Sequence, residues 1–178
     1  NWYDYEYVRK YDGKEVSSYW RKPNNPIDVG EPDIGWYAFH VLIGHHGIWS
    51  LSPILLLSLP GFWLLLRDPG LEQRCWSVLI LTVSVICLAF YVFWLDARQR
   101  NYGGMCCAFR QLLWLHPLWL LVSAPAFDWL SRNRWTRLLV GALFIVSLIS
   151  ASYPTWNPWT HPWIWNWLTY LGWPTMSG

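Results

Sequence analysis

The sequence predicts an all-α membrane protein with about four transmembrane helices, a small N-terminal hairpin-and-loop head and a Trp-rich interfacial tail. Three observations carry that prediction. Of the 178 residues, 54% are hydrophobic and only 13% charged, against roughly a quarter charged in ordinary soluble domains. Four long apolar stretches fill the region after the first 47 residues. The chain also holds 17 Trp and 10 Tyr, whose rings favour the headgroup layer, where an apolar body and a polar N–H or O–H are both satisfied. A formal net charge of +2 argues against a nucleic-acid partner, which demands a basic face. The partners expected are the lipid bilayer and other membrane chains, or a part of the protein upstream of residue 1. The chain does not open on Met and no signal peptide precedes its polar residues, so such a part is expected.

Residues 1–47 form the polar head. All three lysines, Lys10, Lys14 and Lys22, lie here, with seven of the eleven acidic residues. Two runs rich in aromatic and β-branched residues, Tyr5 to Tyr11 and Lys14 to Trp20, flank Asp12-Gly13. This is the signature of a β-hairpin with a type I′ turn, since Gly tolerates positive φ. From Arg21 to Asp33, Pro23, Pro26 and Pro32 predict an extended loop. Asp33 then stands near the start of a short helix whose Trp36, Tyr37, Phe39 and His40 form an interfacial aromatic face.

The membrane region spans residues 48–153, with helices expected over 48–66, 76–95, 109–127 and 137–153. At about 1.5 Å per residue these reach roughly 26–30 Å, the thickness of a hydrocarbon core. Backbone groups in lipid must pair internally, which selects helices. Pro60 and Pro117 are expected to bend their helices or to mark places where neighbours supply partners. Arg67, Arg74, Arg132, Arg134 and Arg137 flank the first and third connections, against Arg98 and Arg100 in the second. The positive-inside rule puts the arginine-rich connections in the cytoplasm. The head, the second connection and the tail then share the extracytoplasmic side. The tail, 154–178, carries five Trp between positions 156 and 167. It reads as a loop and short helix in the headgroup layer.

Three motifs gather on that side. In Gly44-His45-His46-Gly47, paired imidazoles between glycines suit an interfacial turn, contact with a phosphate or substrate, or a metal. Arg98, Arg100 and the Gly103-Gly104 pair precede Arg110, one turn inside the third span. Guanidinium forks suit phosphate, and glycines let backbone N–H groups approach an anion. Arg110 has two readings, a functional charge with Asp96 as nearest counter-ion or a side chain snorkelling to the interface. In the tail, Trp156, Trp159 and His161 either stack on a sugar ring or belong to an aromatic belt. His116 lies inside a span and is expected to hydrogen-bond a carbonyl, and Asp128 is expected to pair with the neighbouring arginines. Cys75, Cys87, Cys106 and Cys107 lack C-x-x-C spacing, and no metal site is assigned. The sequence identifies no nucleophile elbow, P-loop or dinucleotide fingerprint, so catalytic residues remain unassigned.

The run Gly44-His-His-Gly-Ile-Trp-Ser-Leu-Ser-Pro-Ile-Leu-Leu-Leu-Ser-Leu-Pro-Gly61, followed by Asn101-Tyr-Gly-Gly104, Arg110 and Asn157-Pro-Trp159, resembles the C-terminal half of a bacterial multi-pass membrane family. That family is described as glycosyltransferase-like and is related to the C-type enzymes that use polyprenyl-phosphate-sugars. The resemblance covers about residues 36–163. It implies a polyprenyl-phosphate-sugar donor at the outer face, with Arg110, Gly103 and Gly104 near its phosphate. Such enzymes carry their catalytic acid in an early extracytoplasmic loop that this chain lacks, so a partner chain or an upstream part would supply it. The alternative function is a non-catalytic scaffolding subunit of a larger membrane complex.

Overall fold

A computed structural model describes residues 5–18, 30–104 and 106–173. The fold is mainly helical, with one two-stranded sheet. Strands β1 (Glu6–Val8) and β2 (Glu15–Ser17) pair antiparallel, Tyr7 opposite Val16. The hairpin forms where Asp12-Gly13 predicts it, but its turn differs. Arg9 N–H donates to Lys14 O (2.9 Å) and Gly13 N–H to Arg9 O (2.9 Å), which closes a four-residue loop over positions 10–13. Gly13 alone has positive φ there, +66°. The Asp12 carboxylate accepts from Lys14 N–H and pairs with Arg9, so Asp12 is tied outside the left-handed conformation that a type I′ turn requires. Tyr19, Trp20 and most of the predicted proline-rich loop lie outside the described residues.

Helix α1 (Ile34–Leu42) starts as expected: Asp33 Oδ1 accepts from Trp36 N–H at 2.6 Å, satisfying a donor that the first turn leaves free. Its aromatic face is divided. Tyr37, His40 and Val41 are buried, while Trp36 and Phe39 are exposed, as helical spacing requires of residues on opposite sides.

The first apolar stretch is broken. It comprises α2 (Ile48–Leu51), a 3-10 turn (Pro53–Leu57) and α3 (Ser58–Leu66). Pro53 has no N–H and pushes Ser52 out of the helical region, to φ −129°, ψ 67°. The break frees the Ile54 N–H, which donates to Ser147 Oγ (3.0 Å) on a later helix, Arg134–Ser152. Neighbour compensation thus occurs at Pro53. Pro60 falls in the first turn of α3 and Pro117 in that of the helix His116–Ser131, where no intrahelical N–H is needed.

Helix α4 (Leu71–Ala89) continues as a π-helical turn (Phe90–Trp94). The third stretch is a 3-10 segment (Arg110–Leu115) leading into α5 (His116–Ser131), which stays helical through Pro125. Helix α6 (Arg134–Ser152) is capped by Asn133, and a final short helix, α7 (Trp163–Tyr170), follows the tail loop. Among the described residues two helical segments are long and apolar enough to cross a membrane, Leu71–Trp94 and Arg134–Thr155, whereas Pro53–Leu66 is shorter. Only 17% and 11% of their apolar windows are buried, so neither is the core helix of a water-soluble bundle.

The core runs from Tyr37 and Val41 of α1 through the broken Ile48–Leu57 stretch and Leu112 and Leu115 to Phe62 of α3, Ile80 of α4 and Trp119, Val122 and Ala126 of α5. Gly61 lets α3 approach α5 closely, since a Cβ there would lie 2.1 Å from Val122 O. Trp119 Nε1 donates to Ser84 Oγ (2.8 Å) across α5 and α4. Two substitutions test this packing. Gly61→Ala is expected to destabilise by about 1–3 kcal/mol through forced separation, and Ser147→Ala by about 1–3 kcal/mol through an orphaned buried N–H. Thermal unfolding in detergent would measure both.

Candidate functional site

The 44–47 turn begins where α1 ends. A Cβ on Gly44 would lie 2.2 Å from His40 Nδ1, and one on Gly47 2.7 Å from the Ile43 backbone, so both positions require glycine for close approach. The Ser50 hydroxyl donates to Gly44 O (2.6 Å), closing the turn. Its geometry sends His45 and His46 inward, to 0% and 2% exposure.

Residues 101–104 form a type I′ turn. Gly104 N–H donates to Asn101 O (2.9 Å), and the central φ angles are +54° at Tyr102 and +93° at Gly103. A left-handed conformation costs a non-glycine residue about 1–2 kcal/mol. Ring packing holds Tyr102 there. It stacks on His46 (5.2 Å between centroids, 14° between planes), meets His45 edge-on (5.0 Å) and tilts against Tyr37 (5.1 Å).

From the tail, His161 stacks on Trp165 (4.7 Å), and Trp165 meets His45 edge-on at 4.6 Å. The His46 and His161 rings lie 6.2 Å apart. From α1, His40 stacks on His45 at 3.8 Å. The structure therefore joins His45, His46 and His161 in one cluster. It adds Tyr37 and His40, which the sequence assigned to an interfacial face, together with Tyr102 and Trp165. Two signals pointed there: His40 stands four residues before Gly44, and Tyr102 sits inside the Asn-Tyr-Gly-Gly run.

Among the described residues, Tyr37 Oη, His40 Nε2, His45 Nε2, His46 Nε2, Tyr102 Oη and His161 Nδ1 have no hydrogen-bond partner. The cluster's tautomers follow from the bonds that are made. His40 Nδ1 accepts from the His45 backbone N–H (3.4 Å), which puts the His40 proton on Nε2. His45 and His46 meet Nδ1 to Nδ1, so in the neutral pair one ring donates and the other carries its proton on Nε2. Few ring lone pairs are left free for an ion. Consistently, among the described residues no group of three or more His, Cys, Asp or Glu is arranged to hold a metal. Burial pushes the histidines down, His40 to about 4, His46 to about 3 and His45 to about 2, with neighbouring rings adding to the last two. His161 is also lowered by burial, and the Tyr37 and Tyr102 phenols are raised by it.

The predicted cations separate. Arg98 and Arg110 are exposed and make no hydrogen bond or ion pair among the described residues. Arg110 packs against Gly103, where a Cβ would lie 3.2 Å from Arg110 Cβ. Arg100 is buried and serves as a strap. It donates to Leu95 O (3.1 Å), Glu31 O (3.1 Å) and Pro32 O (2.9 Å), and its own carbonyl accepts from Glu31 N–H (3.0 Å). The Gly103 and Gly104 N–H groups, expected to approach an anion, donate within their turn to Asn101 Oδ1 and O.

Asp96 forms no ion pair with Arg110, nor Asp128 with its arginines, among the described residues. His116 makes no carbonyl hydrogen bond through Nε2 and instead stacks on Trp119 at 5.5 Å. Trp156 is 97% and Trp159 68% exposed, and all four thiols are free. Comparison with family models, curated proteins and solved structures finds no match to this chain.

The cluster predicts acid sensitivity. Histidines that titrate near 6.5 when unfolded bind protons below that pH, while the folded rings, with lowered pKa, remain neutral. The unfolded state then holds more protons, so stability falls as pH drops from about 6.5 towards 3, by up to about 1.4 kcal/mol per pH unit for each ring. Unfolding midpoints at pH 7.5 and 5 are expected to show the loss, and Gly44→Ala, which displaces His40, to lower the midpoint at both.

Proposed function

We propose that this chain is a multi-pass bacterial inner-membrane protein with four membrane-crossing segments, glycosyltransferase-like or the C-terminal part of such a protein, that binds the phosphate of a lipid-linked sugar at the outer face. The observation that carries this reading is Arg110. It stands at the head of the segment leading into α5, exposed, unpaired among the described residues and packed against Gly103. A guanidinium in that position offers a planar fork to phosphate, and exposed Arg98 adds a second from the preceding connection. Exposed Trp156 and Trp159 suit either a sugar ring or the lipid interface.

The membrane assignment is supported by the unburied apolar surface of α4 and α6, including Leu79, Ile86, Leu139 and Ile145. In water such surface would cost about 25 cal/mol per Å². Arginines in the first and third connections favour a cytoplasmic position for those loops.

A second reading, a non-catalytic subunit of a membrane complex, is favoured by the acidic residues near the arginines. Glu31 is buried with Oε1 accepting from Asp33 N–H, and Asp96 is exposed in a connecting turn. Neither is held as a general base beside Arg110. A partner would have to provide one.

Two experiments test the proposal. Full-length protein in liposomes is expected to bind a polyprenyl-phosphate-sugar, and Arg98→Ala/Arg110→Ala to weaken binding by about tenfold or more, as the loss of charge-assisted hydrogen bonds requires. Equal affinity in the double variant would remove these arginines from the site. Alkaline phosphatase fused after Gly70 is expected to be inactive and after Asn101 active; the reverse pattern would invert the topology.

A further inference from the structure

We propose that the ring cluster of His40, His45, His46 and His161 is an acid-released latch that holds helix α7 against the body of the protein. Helix α7 has eight residues and none is buried. A cavity of about 370 Å³, lined on one side by Trp36, Phe39 and Ile43 and on the other by Ile164, Leu168 and Trp173, separates it from α1. Among the described residues the helix is attached by buried Pro162 at its N-terminal end, by the rings of His161 and Trp165 against His45 and His46, and by two peripheral hydrogen bonds, Trp163 Nε1 to Ser150 Oγ (2.7 Å) and Asn166 Nδ2 to Tyr153 Oη (2.9 Å).

Every ring contact that holds the tail involves a neutral histidine. A proton on His40 Nδ1 removes the acceptor of the His45 backbone N–H. Protonating both rings of the His45–His46 pair sets two N–H groups head to head across their Nδ1 contact. Separation of the rings relieves both conflicts, and among the described residues of the tail the rings of His45 and His46 meet those of Trp165 and His161.

Among the described residues no carboxylate pairs with a ring of the cluster. The groups facing the cluster from α1 are Tyr37 and His40, from the second connection Tyr102 and Cys106, and from the tail His161. Arg100, near Tyr37, is already positive, and the Glu31 carboxylate, whose charge acts on Tyr102, forms no ion pair with the histidines. A positive charge is thus accommodated by opening the cluster to water. The latch is independent of whether the outer face binds a sugar phosphate.

Each histidine that regains an ordinary pKa on release shifts the open-to-closed ratio by about 30-fold at pH 5. The test is hydrogen exchange of the full chain in phosphatidylcholine nanodiscs at pH 7.5 and 5.0, corrected for the intrinsic effect of pH on amide exchange. At pH 5.0, protection in peptides covering 163–173 is expected to fall about 30-fold or more, while peptides from α5 still exchange far more slowly than the tail. His161→Asn, at the edge of the cluster, and His45→Phe/His46→Phe are each expected to shrink that fall. Unchanged tail protection in the wild type would overturn the latch. So would tail and α5 peptides exchanging at one common rate at pH 5.0, which signals global acid unfolding, or variants as acid-sensitive as the wild type. If the double variant fails to fold at pH 7.5, the wild-type contrast between tail and α5, together with His161→Asn, still decides.

Discussion

The arrangement of the polar end depends on one turn. Tyr102 at φ +54° is held in a backbone conformation that an aromatic residue disfavours, and the compensation comes from three directions. Its ring lies against α1 through Tyr37, against the 44–47 turn through His45 and His46, and these in turn contact the tail through Trp165. Segments far apart in sequence meet around a single side chain. Local strain persists only where surrounding structure over-determines it, and here that structure is aromatic packing.

The head is joined to this end by a different device. Gly30 lies so close to the Ala97 carbonyl that a Cβ would approach it to 1.7 Å, and the Arg100 guanidinium donates to two head carbonyls. Carbonyl dipoles satisfy the buried cation without a carboxylate partner, leaving the charge in place with its donors engaged. Arg100 thus differs from Arg98 and Arg110 in kind: it fastens two segments, whereas they face outward.

Local signals in the sequence survived folding well. Asp33 caps α1, Asp12-Gly13 marks the hairpin, and the tail contains a loop followed by a short helix. What failed were inferences that treated a segment alone. The 48–66 stretch was expected as one span with Pro53 and Pro60-Gly61 interrupting it; how the chain accommodates the break at Pro53 depends on Ser147, which no window around Pro53 contains. His45 and His46 were legible as a site through their flanking glycines, but their direction was not. It follows from Ser50 closing the turn and from His40 lying against Gly44. The type of Gly103-Gly104 turn was hidden for a related reason. Asn101 satisfies both glycine N–H groups, so donors that a sequence offers to a ligand are already used by their neighbour.

The bond between Ile54 and Ser147 has a consequence for biogenesis. The two residues are 93 positions apart, and at about 5–20 residues per second a ribosome needs roughly 5–19 s to bridge that interval. Throughout it, the broken N-terminal helix carries a backbone donor whose final partner has not been made. A buried donor without a partner is costly, so the packing of that segment is completed only after the last long helix is made. The chain is locked from its end backwards.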